Sequence, residues 1–148
     1  MTSSVAGRIG APFLAPYAAS KHALEGFAES LRRELAPLGI AVVIVAPGHV
    51  VTPIWDKAEQ MDITPYLGLP ITPALQRFRE RFIRSGRDGL PPARVAEAIK
   101  RALTCSRPKI REVVVAGRLL NRTLPRLLGP RFVDRMLSLR LQDQRRTR

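Results

Sequence analysis

Apolar residues recur at helical spacing in the segment that follows Pro16. When each residue is turned about 100° from the one before it, a single continuous apolar face results. The face is made of Tyr17, Leu24, Ala28, Leu31 and Leu35. Proline suits the first turn of a helix, and the segment 37–39 with its proline and glycine is typical of a helix end. The pattern therefore predicts an amphipathic helix over residues 17–38.

Two short segments are apolar and rich in β-branched residues but lack helical spacing. They are IAVVIVA at residues 40–46 and EVVVA at residues 112–116. Runs of this kind favour parallel strands that are buried on both faces. Helices are predicted between them over residues 75–84 and 93–103, after a proline-rich connection at 51–74. The alternation of helices and strands indicates an α/β fold with a parallel sheet.

The C-terminal end of the chain is strongly basic. Residues 119–148 form a leucine- and arginine-rich segment that predicts two helices, broken at Gly129 and Pro130. Residues 75–148 carry 20 basic and 6 acidic residues, whereas the whole chain has a net charge of +13. Such a charge indicates either a surface for nucleic acid or anionic lipid, or an arginine-rich exterior facing water. Because the basic residues are spread among leucines, the second interpretation is favoured.

Composition excludes several classes of protein and site. A single cysteine, Cys105, excludes an intrachain disulfide and a multi-cysteine metal cage, and is typical of a small apolar filler. No metal site is predicted, because His49 has no second ligand at metal spacing and His22 falls on the solvated side of its helix. Glu25 and Glu29 fit a solvent-facing pair. No apolar run is long enough to span a membrane, and we expect a cytoplasmic protein.

Tyr17 and Lys21 are one helical turn apart and lie toward the apolar face of the predicted helix. A lysine at such a position is costly unless its charge has a use. An ammonium beside a phenol favours the phenolate, and such a phenol can donate or accept a proton at a carbonyl or alcohol oxygen. The same spacing also fits a lysine that extends past a core tyrosine into water. The pair is a candidate acid–base site, with plain packing as the alternative.

Three elements around this pair favour the acid–base interpretation. They are SSVAG at residues 3–7, YAASK at 17–21 and PGHVVT at 47–52. Together they resemble the short-chain dehydrogenase/reductase family, whose hallmark is Tyr-x-x-x-Lys with a serine 13 residues earlier and Pro-Gly-x-x-x-Thr after the next strand. Ser4 lies 13 residues before Tyr17. The resemblance implies a Rossmann-like, doubly wound parallel sheet.

The resemblance also implies a role for each matching residue. Tyr17 would be the catalytic acid–base, Lys21 would assist its deprotonation and bind the nicotinamide ribose, and Ser4 would hold the substrate oxygen. The alternative role, that of a serine capping a turn, fits Ser3 better than Ser4. NAD or NADP would be bound by Tyr17, Lys21, Pro47, Gly48, Val50 and Thr52. Hydride transfer itself would belong to the cofactor.

The substrate is expected to be a small alcohol or carbonyl compound. Trp55 stands where the family places its substrate lid, and fits an apolar substrate contact and plain packing about equally well. The basic helix, the EVVVAG run and the Leu/Arg-rich end look most like members that act on retinoid- or steroid-like alcohols. A homo-oligomer is left open for a full-length protein, and no motif predicts specific nucleic-acid recognition.

The resemblance covers essentially the whole chain, but only the C-terminal half of the family's domain. None of the 10 glycines forms the Gly-x-Gly-x-x-Gly turn that would hold a pyrophosphate, and the family's usual asparagine is missing. We therefore predict a single partial domain over residues 1–148, with an unpaired edge at the strand of residues 40–46. On its own it is expected to be an inactive fragment. The alternative function is a non-catalytic basic polypeptide that makes weak contact with an anionic surface, lipid or nucleic acid, through residues 119–148.

Overall fold

The computed structural model describes residues 1–116, 131, 132, 134 and 135. Apart from the four positions between 131 and 135, the two helices predicted after residue 119 and the basic segment 119–148 lie outside these residues. The described elements, in chain order, are α1 (Ala15–Leu35), β1 (Ile44–Pro47), α2 (Ile54–Glu59), α3 (Thr72–Arg87), α4 (Pro92–Thr104) and β2 (Arg111–Val114). Short 3-10 turns lie at Val5–Gly7, Ala36–Leu38 and Thr64–Tyr66. The α/β class predicted from the sequence is confirmed.

The helices follow the local signals in the sequence. Helix α1 begins two residues before the predicted start, with Pro16 in its first turn. A 3-10 turn continues it to Leu38, where Gly39 adopts a left-handed conformation with φ +72°. Helices α3 and α4 contain the predicted segments and extend beyond them at both ends.

The strands are shorter than predicted: β1 is Ile44–Pro47, where the sequence predicts 40–46, and β2 is Arg111–Val114, where it predicts 112–116. β1 and β2 are parallel, with Ile44 opposite Arg111 and Pro47 opposite Val114. Residues 40–43 lie outside the strand, although the sequence predicts that they belong to it. The pairing with β2 begins at Ile44, whose amide donates to the Ile110 carbonyl at 2.9 Å.

The amino-terminal residues pair with the other edge of β1. Thr2 forms a parallel bridge with Val45. The Ser3 amide donates to the Val45 carbonyl at 2.8 Å, and the Val45 amide donates to the Met1 carbonyl at 2.9 Å. This edge of β1 is thus paired around Val45, which corrects the expectation of an unpaired edge.

The core is built mainly of small side chains. Ala28 of α1 packs on Ile44 and Ala46 of β1, and all three are buried.

Cys105 is exposed, because it lies at the end of α4 and not inside the helix. Its interpretation as an apolar filler is therefore wrong. Among the described residues, no helix is long and apolar enough to cross a membrane.

Candidate active site

Ser4 lies where the chain leaves its pairing with β1 and begins the Val5–Gly7 turn. Its hydroxyl accepts a hydrogen bond from the Ala6 amide at 3.2 Å and donates to the Pro47 carbonyl at 3.4 Å. Ser4, and not Ser3, therefore caps the turn, which corrects the expectation from the sequence. The bond to Pro47 is long for an O–H···O hydrogen bond and therefore weak.

Tyr17 lies in the first turn of α1 with 44% of its surface exposed. Within the described part of the chain, its phenol makes no hydrogen bond. The Lys21 ammonium lies 5.7 Å from the centre of the Tyr17 ring, within the range of a cation–π contact. The same ammonium donates to the Thr2 carbonyl at 3.4 Å. Lys21 thus links the Tyr17 ring to the segment that leads into Ser4.

The segment after β1 is held at both sides by backbone hydrogen bonds. The Gly48 amide donates to the Val114 carbonyl at 2.9 Å. The Leu90 amide donates to the His49 carbonyl, and the Val51 amide donates to the Leu90 carbonyl, each at 2.9 Å. This ladder explains how the Pro-Gly-x-x-x-Thr element acquires a defined conformation outside a regular strand.

The polar groups of Val50 and Thr52, at the end of this element, differ in whether they form hydrogen bonds. The Val50 carbonyl accepts a hydrogen bond from the Trp55 indole at 2.7 Å. The Thr52 hydroxyl makes no hydrogen bond among the described residues and is half-buried. Ser4 contacts the Pro47 carbonyl, so the structure brings the serine element and the Pro-Gly element together. Their roles, like those of Tyr17 and Lys21, stay predictions.

Trp55 has the surroundings of a packing residue. It is buried, its indole N–H is satisfied by Val50, and its ring lies 5.7 Å from the His49 ring and 5.3 Å from the Phe82 ring. His49 is exposed overall, but one side of its imidazole lies 5.2 Å from Phe82. Partial burial lowers the pKa of His49 from its usual value by disfavouring the charged ring.

A row of aromatic rings continues from this group toward the segment between Ser4 and Tyr17. Phe82 stacks on Phe78 at 5.3 Å, and Phe78 contacts Phe13 at 5.3 Å. Phe13 has φ +63°, which is unusual for a bulky residue. The ring contact with α3 accompanies this strained backbone, so helix α3 and the chain just before α1 are packed together.

The main feature that sequence reasoning missed is Glu25. The pattern predicts a solvent-facing pair of Glu25 and Glu29, and for Glu25 this is wrong, because it is 8% exposed. Its carboxylate accepts hydrogen bonds from Ser3, Arg8 and Arg111. Burial alone would raise the pKa of Glu25, but the hydrogen bonds from these three residues outweigh it and hold the pKa below its usual value.

The sequence contained one signal for this burial. Eight residues after Tyr17, Glu25 lies about 80° from it around the helix, nearer to the apolar face than to the opposite side. Its partners, however, come from residues 3, 8 and 111, and no local pattern connects those positions. Glu29 does face solvent and pairs with Arg33, as its spacing suggests.

The available donors fit one end of a nicotinamide dinucleotide. The exposed Tyr17 phenol, the Lys21 ammonium and the Thr52 hydroxyl are polar groups suited to a ribose and a carboxamide. The described residues contain no glycine-rich turn for the pyrophosphate. They also contain no group of three or more His, Cys, Asp or Glu side chains that could hold a metal ion.

Comparisons with known proteins match the same elements. The family model of short chain dehydrogenase matches residues 1–63. An NADPH-dependent 3-dehydrocapnine reductase from Ornithobacterium rhinotracheale is 34% identical over 134 residues, which cover 90% of this chain and 47% of that protein. Retinol dehydrogenase 8 from Bos taurus is 37% identical over 118 residues, covering 75% of this chain and 37% of that protein.

A solved structure shares the fold. The crystal structure of a short chain dehydrogenase/reductase from Burkholderia phymatum in complex with NAD aligns with a TM-score of 0.57 and 26% sequence identity. The alignment covers 87% of this chain and 48% of that chain. The present chain therefore spans no more than about half the length of these relatives.

Proposed function

Because the chain belongs to the short-chain dehydrogenase/reductase family, we propose that it carries the acid–base site of an NAD(P)-dependent oxidoreductase that interconverts an alcohol and a ketone or aldehyde. One observation carries the proposal: an exposed Tyr17 phenol whose ring lies 5.7 Å from the Lys21 ammonium. An ammonium at this place is suited to stabilise negative charge that develops on the tyrosine during a proton transfer. The non-catalytic alternative has no comparable observation in its support.

Each of the three side chains has a separate task in this proposal. When bound, the nicotinamide supplies or accepts the hydride at the substrate carbon. In the direction of reduction, Tyr17 donates its proton to the substrate oxygen, and the Lys21 ammonium stabilises the phenolate left behind. Ser4 donates its hydroxyl hydrogen to the same oxygen in place of the Pro47 carbonyl. In the direction of oxidation, the phenolate accepts the proton from the alcohol.

The activity is proposed for the protein in which these residues act together with a dinucleotide-binding half. The covered share of the relatives and the lack of a pyrophosphate turn support this requirement. A native mass of 16.4 kDa with no associated chain, combined with full activity, would contradict it.

The similarity to a retinol dehydrogenase supports an apolar, retinoid- or steroid-like substrate. The cytoplasmic location and a homo-oligomeric state stay predictions.

The test compares the two tyrosines of the chain. Tyr17→Phe should lower kcat for carbonyl reduction with NADH or NADPH by about 10²–10⁴-fold, the usual contribution of a general acid. Tyr66→Phe is the matched control, because Tyr66 is also exposed but lies in the connection between α2 and α3. Unchanged turnover in Tyr17→Phe, or no turnover by the native protein with either dinucleotide and a panel of apolar ketones, would overturn the proposal.

A further inference from the structure

The dipeptide Ser3–Ser4 is fixed by three different elements of the fold. Its backbone is held by β1, because the Ser3 amide donates to the Val45 carbonyl. The Ser3 side chain is held by α1, since its hydroxyl donates to the Glu25 carboxylate at 3.0 Å. Its last carbonyl is held by β2, where a terminal nitrogen of Arg111 donates to the Ser4 oxygen at 3.2 Å. The anchor thus ends on the residue whose hydroxyl is proposed to hold the substrate oxygen.

Arg111 and Glu25 form the centre of this anchor. The Arg111 Nε donates to both Glu25 oxygens, at 3.0 and 2.9 Å, and a terminal nitrogen donates to Oε1 at 2.8 Å. The two side chains are 11% and 8% exposed. A buried ion pair with this many hydrogen bonds is geometrically specific, because a displaced partner would leave a buried charge uncompensated.

Gly7 provides independent evidence that the anchor requires close approach. A Cβ at this position would lie 2.6 Å from the Ser3 hydroxyl oxygen and 2.8 Å from a Glu25 carboxylate oxygen. Any side chain would therefore push Glu25 away from the Ser3–Ser4 segment. The glycine of the SSVAG element thus leaves the space in which the Glu25 carboxylate approaches Ser3.

We propose that Glu25 and Arg111 are positioning residues that set the orientation of Ser4. The inference rests on the proposed function, in which the Ser4 hydroxyl holds the substrate oxygen. Arg111 fixes the carbonyl of the same residue that carries this hydroxyl, so a shift of the Ser4 backbone, including its Cα, would displace both groups. Small displacements of a group that orients substrate reduce kcat more than they affect binding.

The anchor can be tested by amide hydrogen exchange in the native protein without substrate or dinucleotide. The amides of Gly7 and Arg8 are the reporters, because they donate within the turn to the Ser4 and Val5 carbonyls. In Glu25→Gln and Arg111→Met they should exchange about tenfold faster, as expected when hydrogen bonds to a charged group are lost. The amide of Val51, bonded to Leu90, should keep its rate. Arg111→Lys retains the charge and serves if Arg111→Met does not fold.

The matched control is Glu29→Gln, on the same helix but 52% exposed and paired only with Arg33 among the described residues. It should leave the exchange of Gly7 and Arg8 unchanged. Exchange that is unaltered in Glu25→Gln, or that accelerates equally at Val51, would overturn the proposal by showing no local anchor.

Kinetics separate this proposal from the proposed function. In Glu25→Gln and Arg111→Lys, kcat for ketone reduction should fall by about tenfold or more, while the KM for the dinucleotide changes little. If neither variant shows a tenfold fall in kcat, the positioning role is overturned, even where amide exchange accelerates. If the wild-type protein shows no turnover, the proposed function fails, but the exchange rates still decide whether Glu25 and Arg111 anchor Ser4.

Discussion

Gly86 of α3 faces the indole of Trp55 of α2 so closely that a Cβ at position 86 would overlap the ring. Both residues are buried. We expect Gly86→Ala to lower the free energy of unfolding by about 1–3 kcal/mol or more, because overpacking forces α2 and α3 apart. Denaturant unfolding, followed by Trp55 fluorescence, measures the change. A variant as stable as the wild type would show that the two helices do not pack through this contact.

Gly26 is the opposite case, and it serves as the control for Gly86. It lies in the interior of α1, and a Cβ there would meet nothing within 4 Å. Gly26→Ala should raise the free energy of unfolding by about 0.5–1 kcal/mol, since alanine loses less backbone entropy in a helix than glycine does. The same denaturant experiment tests it, and a destabilised variant would contradict the exposed position of Gly26 on α1.

The charge on Glu25 should make the stability depend on pH in the acid range. Its folded-state pKa is lowered from the ordinary value of 4.5. The carboxylate therefore contributes stability that is complete above this value and is lost as the pH falls through the lower pKa of the folded state. The free energy of unfolding should be measured as a function of pH. Its decrease below about pH 4.5 should be smaller in Glu25→Gln than in the wild type. Glu29→Gln, which keeps Glu25, should retain the wild-type slope.

The elements that could be predicted from the sequence are those with local signals. Pro16 and Gly39 bracket α1, and the spacing of Ser4, Tyr17 and Lys21 is a property of a short stretch of chain. The motif therefore indicated the family and the α/β class correctly. It also indicated which helix would carry Tyr17 and Lys21, because one turn of a helix connects the two positions.

What could not be predicted depends on distant partners. The start of β1 at Ile44 follows from its register with Arg111, which no pattern within residues 40–46 encodes. The burial of Glu25 likewise requires Arg111, which lies 86 positions away in the sequence. Hydrophobic periodicity places Glu25 nearer to the apolar face but does not supply the distant hydrogen-bond donors that make the burial of a carboxylate favourable.

The imidazole of His49 should titrate below the ordinary histidine value of 6.5. Contact with Trp55 and Phe82 removes water from one side of the ring and disfavours its charged form. Phe82→Ala should therefore move the pKa of His49 upward, toward that ordinary value. NMR titration in a His22→Gln background, which leaves a single histidine, measures the midpoint directly.

Phe27→Ala is the control for this titration, because Phe27 is an exposed aromatic residue of α1. Removal of its ring should leave the His49 midpoint where it is. If the His49 midpoint does not change in Phe82→Ala, or moves equally in Phe27→Ala, the aromatic contact is not the cause of the lowered pKa of His49.

The parallel pairing of β1 has a consequence for how the chain folds. Thr2 pairs with Val45, and Ile44 pairs with Arg111, so no strand contact in the described sheet joins neighbouring segments. Each contact requires closure of a long loop before it contributes stability, and such topologies fold slowly. Helix α1 can form early from its own residues, whereas the carbonyl of Ser4 acquires its Arg111 donor only after β2 has docked. During synthesis on the ribosome, the serine segment therefore reaches its final geometry after residue 111 has emerged.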